Sequence, residues 1–325
     1  MPDPNASRFR ASLVYNPVAG KLFRRPQLLA EAQRLLEPHV GTLHLCPTTG
    51  PDTAGPIARQ AIADGATLVF VAGGDGTINE VIAGMAGSEV PLAILPAGTA
   101  NVLGMETGIG GNLVRAASKF GDLEPATISL GRLLAPGKSA RYFACMAGVG
   151  LDARIVRMVS PEFKRRWGKL SYWEGGFAQV GKKLPEFDVV MDGRRFRCSF
   201  ALVSRVRNYG GDLEIARHAS LLSDEFAVVL FEGPSSFRYL KYFSGVLLNS
   251  LQGMKGVTVA HARSLQLEAN SSEPIDVQVD GEYAGLAPVS LDIAPERVRI
   301  LLPRAFIQRM STAKSASFAP AAGVR

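Results

Sequence analysis

Four times in its N-terminal third this chain ends a short apolar run in a small, polar, glycine-bearing turn. The runs at 11–16, 42–45, 67–72 and 91–95 suit strands buried on both faces of a sheet. The turns that follow them are Asn16-Pro17-Val18-Ala19-Gly20, Thr48-Thr49-Gly50, Gly73-Gly74-Asp75-Gly76-Thr77 and Pro96-Ala97-Gly98-Thr99-Ala100-Asn101. Between them apolar residues recur at helical spacing: Leu28, Leu29, Ala32, Leu35 and Leu36, then Ile57, Ala58, Ala61 and Ile62, then Ile78, Val81, Ile82 and Met85. This alternation predicts an α/β domain with a doubly wound parallel sheet, expected over residues 1–128.

Beyond about residue 126 the pattern changes to short alternating strands, predicted at 126–130, 187–191, 196–203, 226–231, 256–261, 264–269, 276–279 and 297–301. A β-rich second domain is expected over 129–302, interrupted by a helical stretch at 161–183. The segment 303–325 is expected to pack back on the first domain, its Ala- and Ser-rich end frayed from residue 311. At 325 residues, 47% apolar and 20% charged, the chain is long and apolar enough for two globular units. No apolar run approaches the ~18 residues of a membrane span. The first ten residues lack the apolar stretch of a signal peptide. Cys46, Cys145 and Cys198 are odd in number and widely separated, which argues against a disulfide framework and a thiolate zinc site. A cytoplasmic location is expected. His39, His44, His218 and His261 stand apart, with no metal-ligand spacing.

In a parallel sheet the turns leaving the carboxyl ends of the strands share one edge, where ligands bind. Glycines let backbone approach a ligand closely, and runs of exposed amides cradle anionic oxygens, so phosphate is the natural guest. Thr77 opens the helix that begins near Ile78, aiming its positive end at the same cradle. Asp75 is placed to meet a ribose hydroxyl or a phosphate-bound Mg²⁺. Any one such turn could be an ordinary strand-to-helix connection, which also favours Gly, Thr and Asn; four together point to a ligand. Two commoner nucleotide motifs fail on spacing. Asn79 stands where the dinucleotide fingerprint needs its third glycine, and Arg132 stands where a P-loop ending in Gly137-Lys138-Ser139 needs its first.

These turns, with Gly148-Val149-Gly150-Leu151-Asp152-Ala153 and Val279-Asp280-Gly281-Glu282, stand in an order and spacing that resembles the diacylglycerol kinase catalytic family, over about residues 9–303. The glycine-aspartate turn is shared with NAD kinases; the Asn-Pro start and the late Asp-Gly-Glu favour the lipid kinase branch. The resemblance implies an NAD kinase-like first domain, a C-terminal β-sandwich, and ATP held between them. Its γ-phosphoryl group would pass to a lipid hydroxyl such as that of diacylglycerol, with Mg²⁺ neutralising charge. It assigns the general base to Asp280, with Glu282 beside it. Nucleotide binding falls to Asn16, Gly20, Thr49, Gly73, Gly74, Asp75, Gly76, Thr77, Gly98, Thr99 and Asn101, and metal binding to Asp75. Read from the residues alone, Asp280 ends a strand on its polar face, and Asp280-Gly281 is equally a hairpin turn signal. Asp152 is a weaker candidate, since an acid in a glycine-rich bend often caps the turn.

Three departures matter. Many relatives have Asp where this chain has Val102, and an Ile-Asp-Leu-Gly run where it has Ile128-Ser129-Leu130-Gly131. Near a structural Mg²⁺ site relatives carry Asp-Gly where this chain reads Ser223-Asp224-Glu225. A kinase of a soluble cofactor such as NAD, and a nucleotide-binding protein without catalysis, therefore stay open beside the lipid kinase.

The net charge of +7 is uneven: residues 131–207 hold 16 Lys and Arg against 6 Asp and Glu. Within them Lys164, Arg165, Arg166, Trp167, Lys169, Tyr172 and Trp173, followed by Lys182 and Lys183, combine charge with interfacial aromatics. The stretch is either a solvated face or a peripheral contact with an anionic membrane surface. Nucleic acid is not an expected partner, because the aromatics cluster once and no nucleic-acid motif accompanies them.

Overall fold

The computed structural model describes residues 9–158, 181, 183–209, 214–247, 250–269 and 273–317. The chain opens with β1 (Arg10–Tyr15), α1 (Gly20–Arg24), α2 (Gln27–Leu36), β2 (Thr42–Pro47), α3 (Ala54–Ala63), β3 (Leu68–Gly73), α4 (Asp75–Gly84), β4 (Leu92–Pro96), α5 (Val102–Thr107) and α6 (Leu113–Ser118). The strands run parallel in the order β2-β1-β3-β4. Every residue of β3 and β4 is buried, as uninterrupted apolar runs require. β2 departs from the expected burial on both faces: it is the outermost strand, and its residues are exposed or half-buried. The chain leaves β1 for one side of the sheet and returns on the other as β3. The carboxyl ends of β1 and β3 therefore open a crevice where the winding reverses.

The second part comprises β5 (Leu123–Leu134), β6 (Arg141–Phe143), β7 (Met146–Gly150), α7 (Leu151–Met158), β8 (Phe187–Met191), β9 (Arg194–Cys198), β10 (Phe200–Ser204), β11 (Phe226–Phe231), α8 (Phe237–Leu247), β12 (Val257–Ala262), β13 (Ser264–Glu268), β14 (Asp276–Val279), β15 (Glu282–Leu286) and β16 (Val289–Pro303). An antiparallel sheet in the order β12-β11-β10-β7-β14-β15 packs face to face on β8, β9, β13 and the near halves of β5 and β16. Phe187, Leu265 and Leu291 from one layer meet Val149, Val203, Val228 and Val277 from the other, which makes a β-sandwich.

The expected strand 196–203 is two strands. β9 pairs with β8 in one layer, β10 pairs with β7 and β11 in the other, and the chain crosses between layers at the buried Ser199. β7, which the sequence presents as a glycine-bearing bend, is a buried central strand whose Gly148 and Gly150 hide its apolar signal. The stretches at 126–130 and 297–301 are the middles of longer strands. β5 and β16 pair along both domains, with a register shift between Ile293 and Arg297; β16 meets β4 at Ile300 and β13 at 289–292. The boundary expected at 128/129 thus falls inside β5, and one ten-stranded sheet runs from the first domain into the sandwich. After β16, α9 (Arg304–Ser317) buries Phe306 and Met310 and pairs Arg304 with Glu124 at 2.6 Å. It stays helical past residue 311, where fraying is expected. Most of the expected helix at 161–183, with Lys164, Arg165, Arg166, Trp167, Lys169, Tyr172, Trp173 and Lys182, lies outside the described residues.

Candidate active site

The turns after β1, β3 and β4 are bonded to one another. The Asn16 amide donates to the Ala72 carbonyl at 2.9 Å, and its side chain donates to Thr77 Oγ1 at 3.3 Å. The Ala97 amide donates to the Gly73 carbonyl at 2.8 Å, and the Lys21 amide to the Ala97 carbonyl at 3.1 Å. Gly98 lies so close to Gly74 that a Cβ on it would sit 2.6 Å from the Gly74 Cα, a backbone contact only glycine permits. Asn101, buried and in the left-handed region at φ 51°, closes its own turn by exchanging side-chain bonds of 2.9 Å with the Gly98 amide and carbonyl. Asn16, Gly20, Gly73, Gly74, Asp75, Gly76, Thr77, Gly98, Thr99 and Asn101 therefore share one rim. Thr49 stands on the outer strand's turn, exposed, its amide donating within that turn to Thr53 Oγ1 at 3.3 Å.

Asp75 has work the sequence does not suggest. Its carboxylate accepts the amides of Asn101 at 2.9 Å and Val102 at 2.6 Å, so it caps α5 and ties the third turn to the fourth. Because Val102 contributes its amide, the apolar side chain at that position leaves the tie intact.

From the sandwich, the turn between β14 and β15 reaches this rim. Asp280 and Gly281 both have positive φ, 48° and 79°, the conformation of a two-residue hairpin turn. The Asp280 amide donates to the Met146 carbonyl at 2.8 Å. Its carboxylate accepts the amides of Ala144, Cys145 and Met146 at 2.8, 2.9 and 2.8 Å. Burial pushes the Asp280 carboxyl up to about 6; the three amides pull against that rise, and the Asp75 charge adds to it. Glu282 pairs with Arg141 at 2.5 Å and presses on the opening of α4: a Cβ on Gly76 would lie 2.6 Å from Glu282 Oε1. The glycine turn of the first domain and the Asp-Gly-Glu turn of the second thus meet in one cleft.

Sequence reasoning missed Arg141, which carries no signal beyond its basic neighbourhood. It also missed Lys21, whose Nζ donates to the Gly111 carbonyl beside the rim; burial lowers its pKa. Glu106, buried on α5, was missed too. It accepts Arg207 Nε at 3.0 Å and joins α5 to the segment after β10.

A second departure has a definite outcome. Where the resemblance implies a structural Mg²⁺, Asp224 Oδ1 accepts the Ser129 hydroxyl at 2.5 Å and Nη1 of Arg297, which also donates to Ser129 Oγ. The Arg297 guanidinium, with the Ser129 hydrogen bond, holds the Asp224 carboxyl down at about 2. The wholly buried Arg205 adds a second cation nearby, donating to the carbonyls of Leu221 at 2.7 Å and Ser223 at 3.0 Å. A single carboxylate already neutralised by the Arg297 guanidinium, with the Arg205 cation close by, does not fit a divalent cation. Among the described residues, no group of three or more His, Cys, Asp or Glu could hold a metal ion.

The diacylglycerol kinase catalytic domain family matches residues 10–133, and the YegS C-terminal NAD kinase beta sandwich-like domain family matches residues 145–302. A diacylglycerol kinase of Bacillus subtilis is 25% identical over 303 residues, 91% of this chain and 97% of that protein. One from Mycobacterium tuberculosis is 27% identical over 255 residues, 76% of this chain and 81% of that protein. The crystal structure of a diacylglycerol kinase from Bacillus anthracis shares the fold at a TM-score of 0.74 and 20% identity, covering 92% of this chain and 99% of that one.

Proposed function

Since this chain belongs to the diacylglycerol kinase family of phosphotransferases, we propose that it passes the γ-phosphoryl group of ATP to a hydroxyl of diacylglycerol or a closely related membrane lipid. The rim's amides and hydroxyls receive the triphosphate, and the N-terminus of α4 adds its dipole. Asp280 takes the proton of the lipid hydroxyl. The freed oxygen attacks the γ-phosphorus in line, the bond to the bridging oxygen breaks, and ADP departs. Glu282 keeps the Asp280 turn against α4, and Asp75 holds two phosphate turns in register. The charges of Asp75 and Asp280 are felt across the cleft, a repulsion that suits a Mg²⁺ carried in on the triphosphate; these two residues would face it, and it would neutralise phosphate charge.

The observation that carries this reading is the contact of Glu282 with Gly76, which sets the Asp-Gly-Glu turn on the glycine rim. A lipid acceptor requires reaching a bilayer face. Among the described residues no helix is long and apolar enough to cross a membrane, so we assign docking to peripheral contact of the basic segment 164–183 with anionic lipid at the cytoplasmic face. The test is transfer of label from γ-labelled ATP to extracted lipids, with NAD and a no-acceptor control alongside, and products separated by thin-layer chromatography. Asp280→Asn should abolish labelled lipid while binding of an ATP analogue persists. Label in NADP, label in no acceptor, or a fully active Asp280→Asn would overturn the assignment.

A further inference from the structure

Gln278 and Asp152 are polar residues buried where α7 lies on β7 and β14, on the face opposite the one that fills the sandwich core with Val149, Val277 and Val279. Gln278, on β14 between β7 and the edge strand β15, is 1% exposed, and Asp152, at the start of α7, is 3% exposed. Among the described residues Asp152 forms no ion pair. A carboxylate buried without a cation is costly, and packing alone would be served as well by a leucine.

The hydrogen bonds give these two residues a direction. The Gly281 amide can only donate, and it donates to Gln278 Oε1 at 2.8 Å. The Gln278 amide group is thereby turned so that Nε2 donates to Asp152 Oδ2 at 2.6 Å. Asp152 Oδ1 accepts the Tyr209 hydroxyl. Room for the pair comes from β7, whose register sets Gly148 opposite Gln278; a Cβ on Gly148 would collide with Asp152 Oδ2 and lie 2.6 Å from Gln278 Nε2. Burial raises the Asp152 carboxyl to about 6, against the Gln278 hydrogen bond that favours its charged form.

The end of this chain of bonds is the turn that carries Asp280. Asp280 at φ 48° and Gly281 at φ 79° form a two-residue turn, and the Gln278 bond to the Gly281 amide ties that turn to β14 from outside its own backbone. We propose that Asp152 is a positioning residue: acting through Gln278, with Tyr209 behind it, it fixes the Asp280-Gly281 turn and so the aim of the Asp280 carboxylate. This assignment rests on the reading of Asp280 as the base. Asp152 itself touches no reacting group.

The experiment combines steady-state kinetics, using labelled ATP and dispersed diacylglycerol, with hydrogen exchange of the peptide spanning 276–286, on Asp152→Ala, Asp152→Asn and Gln278→Met. In Asp152→Ala and Gln278→Met the turn should exchange about tenfold faster, the loss of one hydrogen bond's protection. Their kcat should fall about tenfold or more while the KM for ATP holds, because the phosphate turns are untouched. Asp152→Asn can present its carbonyl oxygen to Gln278 and its amide to the Tyr209 oxygen, and should recover most of both losses. Wild-type exchange in Gln278→Met, or a kcat loss matched by a rise in KM for ATP, would overturn the proposal. If Asp152→Ala fails to fold, Gln278→Met decides. The exchange measurement needs no acceptor lipid, so failure of this inference is separable from failure of the kinase reading.

Discussion

Replacing Gly76 by alanine sets stability against activity. The new methyl would lie 2.6 Å from Glu282 Oε1, and ordinary contact begins at 3.4 Å, so the carboxylate must retreat by about 0.8 Å. Glu282 is a flexible side chain and can retreat, but it then loosens its ion pair with Arg141. That pair is about two-fifths exposed and stabilises by at most about 1 kcal/mol. Alanine in place of glycine in the first turn of α4 returns roughly 0.5–1 kcal/mol of backbone entropy. The two nearly cancel, and the unfolding temperature should move by no more than about 2–4 °C. Catalysis tolerates less, because misplacing a reacting group by about 1 Å can cost 10²-fold. Gly76→Ala should therefore lose ten- to a hundredfold in kcat, roughly, with the fold intact. Glu282→Asp shortens the side chain by about 1.5 Å and should relieve the clash. Adding Gly76→Ala to Glu282→Asp should cost much less than adding it to the wild type, a coupling read from the four-member cycle by scanning fluorimetry and lipid phosphorylation. Full activity in Gly76→Ala, or an equal loss in both backgrounds, would refute the seating of the Asp-Gly-Glu turn on α4.

Gly98→Ala should behave differently, because its Cβ would meet the Gly74 backbone, which cannot swing away; overpacking of this kind costs about 1–3 kcal/mol, so both the unfolding temperature and nucleotide affinity should fall. With Asp280 as the proposed base, the pH profile of kcat/KM should rise through about 6 and level off above it, since only an ionised carboxylate accepts a proton and burial holds this one near that value; a limb near pH 4 would mean that another group limits. The same upward shift makes the folded state the tighter proton binder, so Asp280 lowers stability as pH climbs from about 4 to about 6. Arg297→Gln should destabilise by no more than about 1 kcal/mol, given that Asp224 is nearly half exposed. Since Asp224 is held near 2, that difference should be present above pH ~4 and vanish as pH falls through 2, as followed by urea unfolding. EDTA should leave the unfolding temperature of the nucleotide-free protein unchanged, because a guanidinium pairs with Asp224; a marked drop would restore the structural Mg²⁺.

The sequence showed the glycine-bearing turns that the fold brings together after β1, β3 and β4, and it also named Thr49, which the fold leaves on the outer strand's turn. Apolar period and glycine placement are local properties, so the alternating first domain, its glycine-bearing turns and the hairpin at Asp280-Gly281 were all legible in order along the chain. Local pattern could not give β7, where glycines erase the apolar signal, or the break at Ser199, where strands change layers without any change in alternation. Nor could it say what the acids bond. Asp75 meets the amide of Val102, 27 residues away, Asp280 meets that of Ala144, 136 away, and Arg297 reaches Ser129, 168 away. Those partners are chosen by how β5 and β16 carry one sheet through both domains and bring the sandwich turn onto the opening of α4. A carboxylate's identity is written in the sequence, but its charge state and its aim are set by the amides and guanidinium groups that the fold delivers to it.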